Sequence, residues 1–337
     1  MSNIPAMTTI EALGSIPDFV HKALGERALS RCLEKACLPP STEDCRREFV
    51  PEIAIDKFID TAAKISGDGL LGIQLSKFLS VREYGLWGQY ILSAPTLRMA
   101  IERAIATIVM HANVDALYLV EERGIARFGY CFGERKSHTY ANVAISAAGV
   151  VLSIPRHYLG ASWTPKYLAL DIEKPQPDSE ISDAFGCPVI FNHHCIEIGF
   201  DCALLNAANE TSDGASIITK PDLWREYQGG PPKNYLEILT SELRLRLGSV
   251  NLSIDKVAMA LGTSTRTMQR RLDAEGVSFR ELLQEIKMRR ACEMLSEGVA
   301  TVTETTYALS YSSPSHFSRA FKSRMGVSPN RYHQRDV

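Results

Sequence analysis

The sequence predicts two domains. A mixed α/β domain comes first, and an all-α domain follows, built from two helix-turn-helix units joined by a central helix. Three observations predict this. A short pattern occurs twice in the last quarter of the chain, a break in composition spans residues 206–233, and the residues before that break mix helical with alternating apolar spacing. At 337 residues, with 45% apolar and 23% charged residues, the chain has the length and composition of two ordinary globular domains.

Taken in order, Asp18–Cys37 and Pro51–Ile65 repeat apolar residues every three or four positions, as helices do, and Leu70–Leu79 reads as a further short helix. Pro95 and Thr96 open a strong helix through Leu97, Ala100, Ala104, Ile105 and Ile108. Asp115–Val120 and Ile125–Tyr130 form a hairpin turning at Gly124. A long helix is expected over His138–Leu159, then a strand near Tyr167–Ile172. Pro188–Phe191 and Cys195–Phe200, flanking Asn192-His193-His194, read as a second hairpin. The first domain is thus set at residues 1–205. Gly, Pro, Ser, Thr and Asp concentrate in 206–233, which reads as an interdomain linker, and 234–337 as the second domain, opening with a helix over Tyr235–Leu247.

The repeat sits in this second domain. Val257-Ala-Met-Ala-Leu-Gly-Thr-Ser264 leads into Thr265–Leu272, and Thr305-Thr-Tyr-Ala-Leu-Ser-Tyr-Ser312 leads into Ser313–Phe321. In each copy a short helix ends at a Leu, a turn follows, and the next helix spaces apolar residues four apart around an Arg. That is the layout of a helix-turn-helix, whose second helix enters the major groove of double-stranded DNA. The units are expected at about 254–275 and 302–325. Ser278-Phe-Arg-Glu281 and Thr301-Val-Thr-Glu304 fit the capping box that starts a helix, and Gly276 and Gly298 stand where helices stop. The single helix between them, Ser278–Glu297, would be on the order of 30 Å long, close to the roughly 34 Å between successive major grooves.

Within the reading helices, Met268 and Leu272, then Phe317 and Phe321, are the inward pairs. Arg266, Gln269 and Arg270 share another face of the first, and Ser315, His316, Ser318 and Arg319 point outward on the second. Arg can grip guanine and Gln adenine with two hydrogen bonds each, which makes these residues the candidate DNA-binding set. Charge follows the same division. Residues 250–337 hold 13 Lys and Arg against 9 Asp and Glu, leaving 24 against 30 in residues 1–249. The basic end is the one that phosphate binding requires.

These motifs carry a resemblance. Gly262-x-Ser264-x-Arg266, Gln269-Arg270-x-Leu272, Ser315-x-Phe317-Ser-Arg-Ala-Phe-Lys322 and Gly326-Val-Ser-Pro329-x-x-Tyr332 are similar to the AraC family of bacterial transcription regulators over roughly residues 235–334. The resemblance implies seven helices carrying two helix-turn-helix units, and transcription regulation, more often as an activator, with RNA polymerase as a partner. Gly85-Leu-Trp-Gly-Gln-Tyr90, Ser93-Ala-Pro-Thr-Leu97 and Phe185-Gly-Cys-Pro-Val189-x-Phe191 resemble the sensor domain of a subgroup that includes the ornithine-utilisation regulators. An unidentified small-molecule effector and a homodimer are implied for that domain. The second unit departs from the family pattern: Thr305-Thr306 stands where Ile-Ala is usual, and Ser310 where Gly is usual. If the turn requires a positive φ, Ser310 costs what Gly would not, and Thr305 brings a hydroxyl into a core position. The second unit is therefore expected to be less stable, or less stringent, than the first.

Other chemistries find less support. No phosphate-loop, dinucleotide or serine-hydrolase motif occurs, no cofactor is expected, and an enzyme fused to a DNA-binding module is the alternative reading. Cys187, His193, His194 and Cys195 match no common zinc spacing. Trp87, Tyr90 and Trp163 could line a ligand pocket, but core packing is the expected role of such aromatics in a mixed domain. The eight cysteines include no C-x-x-C pair and are expected to stay reduced. The N-terminus lacks a basic, apolar leader, and the uncharged stretch Ser137–Pro155 reads as a buried helix, not a membrane span, so the expected location is the cytoplasm.

Overall fold

A computed structural model describes residues 4–40, 42, 45–133, 140–175, 179–210, 217–227, 230–248, 252–296 and 298–333. The chain divides into two compact units at Pro231/Pro232, an α/β unit and a helical one.

The first unit, Ala6–Pro231, runs β1 (Met7–Thr9), α1 (Ile16–Leu24), α2 (Glu26–Ala36), β2 (Phe49–Pro51), α3 (Glu52–Ser66), α4 (Leu71–Phe78), α5 (Gly85–Leu92), α6 (Leu97–Thr107), β3 (Ala116–Glu122), β4 (Ile125–Cys131), α7 (Tyr140–Leu159), β5 (Tyr167–Ala169), α8 (Ser179–Phe185), β6 (Val189–Ile190), β7 (Ile196–Asp201) and α9 (Lys220–Glu226). The helix expected over Asp18–Cys37 is two helices, because Gly25 takes a φ of 88° that no helix permits. Thr96 caps α6 through its side chain, as expected from sequence. The start of the helix expected at His138 lies outside the described residues.

The strands form a five-stranded sheet in the order β3-β4-β7-β5-β6, and β1 pairs with β2 in a separate ribbon. The hairpin β3–β4 turns through Arg123 and Gly124, both with positive φ, the geometry a two-residue hairpin loop requires. The second expected hairpin does not form. Strand β6 pairs parallel with β5, and β7 lies between β4 and β5, antiparallel to both. The run Ile196–Phe200 is buried throughout and so makes a central strand with two other partners, overriding its neighbour in sequence.

Phe128, Ile198, Phe200 and Leu168 alternate onto one buried face of the sheet, and α7 packs against β7. Helix α4 crosses α7 closely. A Cβ on Gly72 would come within 2.5 Å of the Asn142 carbonyl, and one on Gly149 within 2.3 Å of that of Ser76. On the other face, Tyr118 and Tyr167 donate hydrogen bonds of 2.6 and 2.7 Å to the two oxygens of Glu197. Trp87 and Tyr90 are buried, and Trp87 stacks on the buried ring of His111. Burial lowers the pKa of His111 to about 3, so it is neutral.

Register opposes Tyr130 to Ile196, which sets the next residues, Cys131 and Cys195, face to face with Cα atoms 4.7 Å apart. They form a disulfide, contrary to the expectation of reduced thiols, and Cys195 is thereby removed from the considered metal group. The stretch read as a spacer also contains ordered structure. Thr219 and Asp222 form a capping box at the start of α9, Leu223 is buried, and Tyr227, also buried, donates 2.7 Å to Glu11. Residues 211–216 and 228–229 of the expected linker lie outside the described residues.

The second unit comprises α10 (Tyr235–Leu245), α11 (Ile254–Ala260), α12 (Thr265–Ala274), α13 (Phe279–Ser296), α14 (Val302–Ala308), α15 (Pro314–Met325) and α16 (Pro329–His333). Helix α13 contributes Leu282, Ile286, Ala291 and Leu295 to the core and touches α10, α14 and α16. Glu297, the expected end of this helix, lies outside the described residues. No helix among the described residues is long and apolar enough to cross a membrane.

Candidate nucleic-acid interface

Both helix pairs are built from local rules. Helix α11 starts at Ser253, whose side chain accepts the Lys256 amide, and ends at Leu261. Gly262, with a φ of 62°, turns the chain, and Ser264 caps α12 by accepting the Thr267 amide at 3.1 Å. The second pair repeats this. Thr301 and Glu304 cap α14 reciprocally, Ser310 turns the chain with a φ of 56°, and Ser313 caps α15 by accepting the His316 amide at 3.2 Å. Pro314 occupies the first helical position, where its missing amide costs nothing. These cap hydrogen bonds also hold the Glu304 carboxyl below the ordinary carboxylate range, and the Ser278 hydroxyl and amide do the same for Glu281.

Met268 and Leu272 of α12 are buried, as are Phe317 and Phe321 of α15. With those faces turned inward, Arg266, Gln269 and Arg270 are exposed on α12, and Ser315, His316 and Arg319 on α15. Ser318, also expected to point outward, is half-buried. Among the described residues, the side chains of Arg266, Gln269, Arg270 and Arg319 make no ion pair or hydrogen bond. The His316 ring lies 3.4 Å from the Ser312 hydroxyl and edge-on to Tyr311. Each helix thus presents an Arg at the same place, Arg270 and Arg319, two residues after the first buried apolar residue.

Four contacts that the sequence did not disclose fix these helices. The Thr265 hydroxyl donates to Asp255 at 2.7 Å, tying the first turn of α12 to α11. The Arg271 guanidinium lies 4.6 Å over the Tyr235 ring, tying α12 to α10. Gln284 of α13 donates to the Tyr311 hydroxyl at 2.9 Å, and Lys287 lies 5.0 Å over the same ring, so the turn of the second pair rests on the central helix. Burial raises the Tyr311 pKa and lowers that of Lys287. Only an aromatic residue beginning α10 and another in the second turn hinted at these links.

The two departures from the family pattern are visible here. Ser310 adopts the left-handed conformation that Gly262 adopts in the first pair. Thr305 is fully buried, and its hydroxyl has no partner among the described residues. Thr306, in the other substituted place, returns its hydroxyl to the Val302 carbonyl at 2.7 Å.

Comparison with known proteins agrees with this geometry. An uncharacterised HTH-type transcriptional regulator of Mycobacterium tuberculosis is 26% identical over 290 residues, covering 81% of this chain and 81% of that protein. The ornithine utilization regulator of Pseudomonas aeruginosa is 23% identical over 287 residues, again 81% of each. The urease operon transcriptional activator of Escherichia coli is 33% identical over 79 residues, 23% of this chain and 27% of that protein. A helix-turn-helix domain model matches residues 257–335, the region of the two helix pairs. The model of the arabinose-binding domain of AraC transcription regulator, N-terminal, matches residues 27–209, more than half of the chain. The matches over the first unit and over the doubled helix-turn-helix of the second therefore assign this chain to the AraC family of transcription regulators.

Proposed function

We propose that this regulator is an effector-responsive activator that binds DNA sequence-specifically through α12 and α15. Arg266, Gln269 and Arg270 read bases from the first helix, and Ser315, His316 and Arg319 from the second. The observation that carries the assignment is the pair of exposed arginines, Arg270 and Arg319, at equivalent places on two capped helices whose opposite faces are buried. Helix α13, at 18 residues, is about 27 Å long, in keeping with two reading heads engaging successive grooves. The first domain serves as the sensor, and an effector that favours the DNA-competent state shifts the population toward it. Cytoplasmic location, RNA polymerase as a partner and a homodimer that places four reading helices on two half-sites belong to the same reading.

The test is fluorescence anisotropy of the full chain on fragments flanking its own gene, against excess nonspecific DNA near physiological salt. Selective binding that Arg270→Ala and Arg319→Ala each weaken is the expected result. Selective binding left intact by both substitutions would overturn the assignment of these residues.

A further inference from the structure

We propose that a cleft in the first unit, between the turn after β1 and helices α1 and α2, binds a small aliphatic zwitterion carrying an amine and a carboxylate. The proposal rests on reading the first domain as a sensor and names the class of molecule sensed. The cleft has a volume of about 250 Å³. That is below the roughly 300–1,000 Å³ of pockets for drug-sized molecules, and so suits a metabolite of a few carbons.

Its lining is apolar along Ile10, Leu13, Leu29 and Leu33, and charged at Asp18 and Arg46. The apolar residues are buried or half-buried, whereas both charged residues are exposed. Among the described residues, neither Asp18 nor Arg46 makes an ion pair or a side-chain hydrogen bond. Two opposite charges that share a cleft without pairing leave two complementary places. An ammonium fits beside Asp18, and a carboxylate fits the planar guanidinium of Arg46, which can donate two parallel hydrogen bonds. A short aliphatic body then covers the leucines. A ligand with one charge satisfies only one of the two places.

Glu11 also lines the cleft but is already engaged. It accepts the Tyr227 hydroxyl at 2.7 Å, and its burial raises its pKa. Glu11 therefore closes the cleft as a polar wall and does not compete with Asp18 for the ammonium. Its partner Tyr227 follows directly on α9, and Arg47, the neighbour of Arg46, pairs with Glu226 of α9 at 2.6 Å. The cleft is thus tied on two sides to the last helix before the second unit begins.

The test is calorimetric titration of the full chain with three matched probes: L-norleucine, hexanoate, which lacks its amine, and pentylamine, which lacks its carboxylate. Saturable norleucine binding at or below about 1 mM is expected, with the other two at least about tenfold weaker. Arg46→Gln should remove the advantage of norleucine over pentylamine, and Asp18→Asn its advantage over hexanoate. Both side chains are exposed, and unchanged melting curves verify that the variants fold. No saturable heat with norleucine, equal affinity for all three probes, or unaltered binding by Arg46→Gln would overturn the proposal. Anisotropy on DNA, run in parallel, separates the two readings. Selective DNA binding without norleucine binding sinks this site alone, and norleucine binding without DNA selectivity sinks the reading of the recognition helices.

Discussion

The two helix-turn-helix units of this chain share a backbone plan and differ in how well their residues suit it. At the turn, Gly262 and Ser310 hold nearly the same left-handed conformation, with φ of 62° and 56°. Glycine adopts it freely, whereas a residue with a Cβ pays about 1–2 kcal/mol. In the first helix of each unit, Val257 and Ala258 are buried hydrocarbons, while the corresponding Thr305 and Thr306 are buried alcohols. Thr306 satisfies its hydroxyl locally, and Thr305 leaves one unpaired. The second unit offsets this with a stronger frame. It has a reciprocal cap at Thr301, Pro314 at the start of α15, and a run of ring contacts from Tyr311 through Phe317 and Phe321 to Tyr332. A plan can be repeated without repeating its energetics, and the weaker turn is held by its surroundings.

The largest effects should come from removing the core of each unit. Phe317→Ala is expected to cost about 3–5 kcal/mol, and Met268→Ala about 2–5 kcal/mol, in urea unfolding of the full chain. If Phe317→Ala melts only α14–α15, native-state hydrogen exchange will show protection lost there and kept in α11–α12; loss across both pairs would mean one cooperative unit.

Next come the two arginines proposed to read bases. Arg270→Ala should weaken binding by about 1–3 kcal/mol and relax base preference at one position of its half-site. Arg319→Ala should cost no more, because the proposed reading set of α15 holds one arginine, Arg319, against two and a glutamine on α12. Libraries mutated in one half-site at a time sharpen this, since equal penalties in the two halves would erase the proposed difference in stringency.

The smallest effects bear most directly on the comparison. Thr305→Val keeps the shape and removes the orphan hydroxyl, so a gain of about 1 kcal/mol in chemical denaturation is expected. Ser310→Gly should add about 0.5–1 kcal/mol by relieving the turn, reduced by the extra freedom of glycine in the unfolded chain. Destabilisation by either substitution would show that the second unit is not the strained one.

Much of this was legible in the sequence because it is local chemistry. Serines and threonines before apolar repeats marked the caps, Gly124 marked the hairpin, and the four-residue spacing of Met268–Leu272 and Phe317–Phe321 marked which faces turn inward. The strain at Ser310 and the buried hydroxyl of Thr305 could also be anticipated, because both residues depart from the pattern usual in the family that the sequence resembles. The capping box Thr219-Lys-Pro-Asp222 was present in the sequence too, but the surrounding glycines and prolines made the segment read as a spacer.

Pairing in space was a different matter. The chain by itself determined the caps and turns of the two helix pairs and which apolar side chains of α12 and α15 turn inward, since these follow from interactions within a few residues. Only the tertiary structure decided that β7 inserts between β4 and β5, that Cys131 meets Cys195 across 64 residues of sequence, and that Tyr227 closes on Glu11. Such contacts depend on which buried surfaces find each other when the whole unit collapses, and the residues between the partners carry no record of that choice.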